Sequence, residues 1–243
     1  MTPEFFNYLD KVESSNNYAT GMIHAGLAMH GMSWLAKEQT QGKGQRGKKW
    51  KSTADESILL SIALQPDPYF AAFPFIFSAK IALSVISWAE NATGKYFRIK
   101  WPNDIYFNDN KAGGILIENI YEGAKWVWSV VGIGINLNQK EFPSDLPNPI
   151  SFYQINHQKF SVNELAIDLR NEIMKGLSVA SDSTLKNYNQ KLYKRGAEVL
   201  LKKDNAVFKT TIQQVNAAGE LLTRDTLDRA FTVGEVEWIL KNP

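Results

Sequence analysis

FRIKWPNDIYFNDNKAGGILIENIYEGAKWVWSVVGIGIN (Phe97–Asn136) places four apolar runs in quick succession. FRIKW, IYF, GGILIEN and KWVWSVVGIGIN carry the β-branched and aromatic residues typical of strands. Tyr121-Glu122-Gly123-Ala124 reads as a hairpin-like turn between the last two. Runs this close leave no room for crossover helices. The sheet is therefore read as mixed or largely antiparallel, not doubly wound.

Working outward, residues 4–12 (EFFNYLDKV) read as a short strand, and Ser14 and Ser15 offer N-caps for a helix to about Met29. SWLAKEQT (33–40) and SILLSIALQ (57–65) read as strands. Between them lies a glycine-rich basic loop. Phe73, Ile76, Phe77, Ile81, Val85 and Trp88 recur at helical spacing, which predicts a buried amphipathic helix over 73–92. Residues 139–149 are proline-rich and irregular, and 161–179 and 182–194 read as two polar-faced helices. After Arg195-Gly196 the texture changes to short strands, EVLLK, FKTTIQQV, ELLTR, RAFTV and VEWIL. Such a run predicts a small SH3-like barrel. The boundary is set near residue 190, giving one domain over 1–190 and a second over 191–243.

A chain of 243 residues has room for both. It has no cysteine, so disulfides and thiolate chemistry are excluded, as suits a reducing compartment. MTPEFFNYLDKVESS lacks the basic start and apolar run of a signal peptide. No run reaches the roughly 18 apolar residues of a membrane span. A net charge of +2 argues against a dedicated nucleic-acid binder. The expectation is a soluble cytoplasmic protein.

The basic character is concentrated in GKGQRGKKW (Gly42–Trp50), where Lys43, Arg46, Lys48 and Lys49 have no acid among them. Glycines and cations together suit an anion such as a phosphate or carboxylate. Gly42, Gly44 and Gly47 spell G-x-G-x-x-G, but KKWKSTADES and a strand follow rather than a helix, so a dinucleotide fold is not expected. The near match to a phosphate-binding P-loop fails at Lys49, which stands where the magnesium-binding Ser or Thr belongs. Taken alone, the loop is equally readable as a solvated basic hairpin.

Three further segments bear on the reading. KWPNDIY gathers Lys100, Asn103 and Asp104 around Pro102, a grouping able to serve a phosphate and its metal or simply a Pro-Asn-Asp turn. Lys111 stands before Ala-Gly-Gly and the strand ILIEN, placed to meet a ligand carboxylate or solvent. VVGIGIN alternates glycine with apolar residues and ends in Asn136, the mark of a close approach by a ligand, a bulge or tight packing.

In this order the segments resemble the biotin protein ligases (biotin–acetyl-CoA-carboxylase ligases). The family pattern is an acid-Ser-Thr-Asn, a Gln before GRGRxGRxW, then KWPND, K-x-x-GIL-x-E and GIGIN. This chain reads Glu13-Ser-Ser-Asn16, Gln39, GKGQRGKKW, Lys100–Asp104, KAGGILIE from Lys111, and Gly132–Asn136. The resemblance implies an α/β fold with a mixed-sheet catalytic domain of the biotin/lipoate ligase type and a C-terminal SH3-like barrel. It also implies an enzyme that condenses ATP and biotin to biotinyl-5′-adenylate and passes the acyl group to a lysine on a carrier domain. That carrier would be the biotin carboxyl carrier domain of acetyl-CoA carboxylase or a similar carboxylase.

By the same resemblance, Lys100, Lys111 and Asp104 are the catalytic candidates, with Lys111 on the biotin carboxylate and then the mixed anhydride. Ser14, Ser15, Asn16, Gln39, Lys43, Gly44, Gln45, Lys111, Gly132 and Gly134 would bind biotin. Lys43, Gln45, Arg46, Lys48, Trp50, Lys100, Asn103 and Asn136 would bind ATP and the adenylate, Trp50 covering the adenine. Asp104, with Asn103 and Asn136 beside it, would help position Mg2+. Gln45 and Lys43 stand where the family has arginine, and a neutral amide at 45 implies weaker retention of the adenylate. Ser15 replaces the usual Thr and keeps the hydroxyl. The pattern begins close to Met1, which leads us to expect no DNA binding and a monofunctional ligase; a homodimer through the sheet would be in keeping with related ligases. Two rivals are a lipoate or octanoate ligase or transferase of the same superfamily, and a non-enzymatic nucleic-acid-binding protein.

Overall fold

The computed structural model describes residues 5–179 and 183–239. The first region is a seven-stranded sheet of β1 (Phe6–Val12), β2 (Ser33–Gln39), β3 (Ser57–Leu64), β4 (Arg98–Lys100), β5 (Asp104–Phe107), β6 (Asn110–Glu122) and β7 (Lys125–Asn136). Their spatial order is β1-β2-β3-β7-β6-β5-β4. Only β1 and β2 run parallel, joined by α1 (Ser15–His24); every other pair is antiparallel. The sheet is thus mixed, as the clustered strands predicted. The β6–β7 hairpin closes with Glu122 opposite Lys125, and Gly123 takes a φ of 59° at its tip.

Position in the sheet explains composition. β3 lies between β2 and β7 and is buried along its whole length, hence SILLSIAL rather than an alternating pattern. Ile58, Leu60, Ile62 and Leu64 join the main core beneath α3 (Pro74–Thr93), which packs on α5 (Val162–Ser178). On the other face Ala63 meets Ala19 of α1, Trp34 and Val130 in a smaller cluster. Ser61 also belongs to that second face, and its hydroxyl lies among side chains of α1.

The second sheet contains β8 (Glu198–Lys203), β9 (Ala206–Val215), β10 (Leu221–Arg224), β11 (Asp228–Phe231) and β12 (Glu237–Ile239) in the antiparallel order β11-β10-β9-β8-β12. This is consistent with an SH3-like domain. Trp101 ties the two sheets together, its indole N–H donating to the Gly219 carbonyl at 2.9 Å.

Some local expectations change. The first helix ends at His24 rather than near Met29, because Gly26 at φ 70° turns the chain out of it. Ser14 occupies the N-cap position without a side-chain capping bond, and Ser15 instead bonds Gln39. The last helix of the first region, α6, covers Thr184–Gln190, shorter than 182–194; residue 182, like Glu4 and Leu240, lies outside the described residues. Two short helices, α2 (Pro68–Ala72) and α4 (Phe152–Asn156), have no counterpart in the sequence reading.

Candidate functional site

All the candidate residues named above line one cavity of about 780 Å3. Its floor is β7 at Gly132 and Gly134, and the glycine pattern has a steric cause. A Cβ on Gly132 would sit 2.3 Å from Asn16 Oδ1, and one on Gly134 would sit 2.6 Å from the Trp50 indole. The side chains that cover the strand come so close that only hydrogen fits beneath them.

At one end a polar network orders the start of α1. The Ser15 N–H and hydroxyl both donate to Gln39 Oε1, at 2.7 and 3.1 Å. Ser61 Oγ lies 2.7 Å from Ser15 Oγ and 2.6 Å from Asn16 Oδ1. Asn16 donates to Glu118 Oε2 at 2.7 Å, and Lys43 of the basic loop pairs with Glu118 Oε1 at 3.2 Å. With its carbonyl engaged, Gln39 keeps its NH2 group as a donor. Asn16 is held from both ends, so it shapes the floor, while Ser14, Ser15 and Gln39 offer the polar rim. Ser61 and Glu118 were not singled out in the sequence. Their signals were a serine inside an apolar strand and the acid that closes GILIE.

The basic loop folds on itself as a small hairpin. Gly44 N–H donates to the Lys48 carbonyl at 2.7 Å and Trp50 N–H to the Gly42 carbonyl at 2.8 Å. Gln45–Gly47 form a tight turn in which Gly47 has φ 75°. The hairpin brings Trp50 onto β7 and the Arg46 guanidinium against Gly234 of the second sheet, where an added Cβ would lie 2.8 Å from Arg46 Cζ. No α-helix begins here, which agrees with the expectation that the loop is not part of a dinucleotide fold.

At the other end stand three charged groups. Lys111 Nζ lies 2.6 Å from Asp104 Oδ1 and 5.7 Å from the centre of the Trp50 ring. Its backbone is fixed by Asn148 and Ile150 and by the Asn136 amide, which donates to the Lys111 and Ile150 carbonyls at 3.2 Å each. Asn103 donates to the Ile115 carbonyl at 2.5 Å. Both amides therefore brace the strands around the lysine. Lys100 Nζ sits between Tyr106 and Trp238, 5.3 Å from each ring centre. Burial lowers its pKa from the ordinary lysine range to about 8, with Lys111 and Lys48 adding to the effect and Asp104 opposing it.

A clear pH dependence follows. Below about pH 8 the Lys100 amine is charged; above it, an anionic ligand must restore the proton on binding. Affinity for a triphosphate is expected to fall by about tenfold per pH unit between pH 8.5 and 10. The contribution to fold stability has the opposite sign. The folded chain releases this proton between about 8 and the ordinary lysine value, so stability from this group rises with pH across that window. Calorimetric binding and thermal melts over pH 7–10 read both; a flat binding profile would contradict the role given to Lys100.

The geometry is that of one pocket with polar donors at one end, cations at the other and a glycine floor between. Aquifex aeolicus biotin protein ligase, solved in complex with biotin and ATP, has the same fold, with a TM-score of 0.82 at 23% identity, over 98% of this chain and 100% of that one. A biotin protein ligase from Leishmania major solved with biotin gives 0.61 at 20% identity, over 96% and 100%. The chain belongs to the Biotin/lipoate A/B protein ligase family, whose model matches residues 9–136, from β1 to the end of β7.

Among similar proteins, it is 34% identical over 141 residues to the bifunctional ligase/repressor BirA of Bacillus spizizenii, covering 57% of this chain and 43% of that protein. It is 35% identical over 131 residues to a biotin–[acetyl-CoA-carboxylase] ligase of Paracoccus denitrificans, covering 53% of each. The matched region thus spans about half the length of these relatives. Among the described residues no helix is long and apolar enough to cross a membrane.

Proposed function

We propose that the chain is an ATP-dependent biotin protein ligase acting in the cytoplasm on a biotin carboxyl carrier domain. The observation that carries this reading is the gathering of the family-patterned residues around one cavity, with donors for a ureido ring and cations for phosphates at opposite ends. We read the chain as a catalytic unit over 1–190 and a small barrel over 191–243.

In the first step a biotin carboxylate oxygen attacks the α-phosphorus of ATP, the bond to the β-phosphate oxygen breaks, and pyrophosphate leaves. Two anions must meet, so cations lower the barrier. Lys111 holds the attacking carboxylate, Lys100 and the basic loop take the phosphates, and Trp50 covers the nucleotide. In the second step a carrier lysine amine attacks the acyl carbon, AMP leaves, and the amine loses its proton. Ser14, Ser15 and Gln39 pair with the ureido N–H and C=O groups, which would otherwise be buried without partners.

Magnesium fits as the counterion of the nucleotide. Asp104 has one carboxylate oxygen on Lys111, leaving the other for a metal that takes most of its remaining ligands from phosphates and water. Among the described residues no cluster of three acids or histidines forms a dedicated metal cage. Bound there, Mg2+ would screen phosphate charge.

Purified protein is expected to catalyse ATP–pyrophosphate exchange with biotin and far less with lipoate or octanoate. Exchange driven by lipoate or octanoate instead would reassign the substrate, and none with any acid would end the proposal. Gln45 lacks the charge of an arginine, so free biotinyl-adenylate is expected to accumulate during turnover and to fall in Gln45→Arg. Equal release from both proteins would remove that role.

A further inference from the structure

One wall of the phosphate end is supplied by the second sheet. Lys100 ends β4, and its ammonium group is held between two aromatic faces, Tyr106 of β5 and Trp238 of β12. Among the described residues Lys100 takes part in no ion pair; the charge of Asp104 favours its ammonium, but the Asp104 carboxylate is paired with Lys111. A half-buried ammonium that shares the charge of Asp104 with Lys111 loses hydration and gains from a further source of negative potential. Ring faces provide one, and tryptophan provides the strongest.

Several features indicate that the Trp238 ring face matters here. Its indole nitrogen is buried without a hydrogen-bond partner, so the side chain is not kept in place by its N–H. Tyr193 braces both walls, its ring centre 5.0 Å from Tyr106 and 5.8 Å from Trp238. Among the described residues β12 is an edge strand paired with β8 alone, so the location of the indole is set by the second sheet, not by the strands that carry Lys100. Trp238 also lines the cavity.

We propose that Trp238 is a positioning residue for Lys100, through which the C-terminal sheet sets the affinity of the catalytic sheet for a nucleotide triphosphate. The proposal rests on the reading of Lys100 as a phosphate ligand. Trp238 holds the ammonium aligned along the cavity wall before the nucleotide arrives, so less ordering remains for binding to complete. It makes no demand on biotin, whose polar partners stand at the opposite end.

The test is calorimetric titration of the full chain with Mg-ATP and, separately, with biotin. Trp238→Leu is expected to weaken ATP binding about tenfold, on the scale of a desolvated cation–π contact, with biotin affinity within about twofold of wild type. Trp238→Phe, which keeps a ring, should recover most of the loss. In a Lys100→Gln background Trp238→Leu should add little, because its effect runs through the lysine. If Trp238→Leu does not fold, Trp238→Met preserves apolar bulk without a ring, and its comparison with Phe carries the same question.

Equal losses for ATP and biotin, full additivity with Lys100→Gln, or an unchanged ATP affinity would each overturn the proposal. Those results are separable from failure of the ligase reading. A wild-type chain that binds ATP but gives no exchange with biotin removes the proposed acid and leaves this inference standing on nucleotide binding. A wild-type chain that does not bind ATP overturns both.

Discussion

Lys111→Ala is expected to lower biotin-dependent ATP–pyrophosphate exchange by about a thousandfold while leaving the protein folded. The magnitude is that of removing one donor aimed at a developing oxyanion. The fold should survive because Lys111 contributes to it through its backbone. Its N–H bonds the Asn148 carbonyl at 2.8 Å, and its carbonyl accepts from Ile150 at 2.9 Å and from the Asn136 amide. Among the described residues the side chain pairs with Asp104 and lies over the Trp50 ring, and Asp104 is already partly open to water.

Biotin binding without nucleotide should weaken far less than exchange, because the ureido partners lie at the other end of the cavity. Lys111→Arg restores charge but replaces a compact ammonium with a planar fork, and only partial recovery is expected. Exchange assays with thermal melts decide the matter. Exchange at the wild-type rate in a folded Lys111→Ala would show that another group holds the carboxylate.

Gly132→Ala is expected to raise the dissociation constant for biotin by about a hundredfold, the upper range for one methyl forced into a packed site. The new Cβ would stand 2.3 Å from Asn16 Oδ1. Neither side yields easily. β7 is paired on both flanks, with Gly132 opposite Ser61 and Leu116. Asn16 is only 3% exposed and is tied to Glu118 and Ser61. Displacing it disturbs Ser15, Gln39 and, through Glu118, Lys43.

Gly114→Ala is the internal control, since its Cβ would meet Asp104 and Lys111 at an ordinary 3.4–3.5 Å. It should leave biotin binding almost unchanged. Titration calorimetry of the two variants tests the contrast. Wild-type affinity in Gly132→Ala would mean that Asn16 can move without cost and does not shape the ligand floor.

The sequence alone determined the mixed sheet, since the short spacings of Phe97–Asn136 leave no chain for crossovers, and it marked the glycines, the basic loop and the lysines as one patterned set. Those features are local: strand propensity, turn length and residue order are written within a few positions of one another. It misplaced the end of α1 by several residues, because Gly26 stops the helix while apolar residues run on to Met29. It also assigned Ser15 to helix capping, because Gln39, distant in sequence, could not be seen to take both of its donors.

Only the tertiary structure decided how the set is used. Parallel pairing of β1 with β2 carries Asn16 over Gly132, and the loop hairpin lays Trp50 on Gly134. Glu118 becomes the link between α1 and Lys43, and Trp238 arrives beside Lys100 from a separate sheet. The physical reason is that contact distance, desolvation and the sharing of a single carboxylate or ring depend on positions in space. Trp238 stands over Lys100 and Asn16 over Gly132 from more than a hundred positions away, and no period or spacing along the chain encodes either contact.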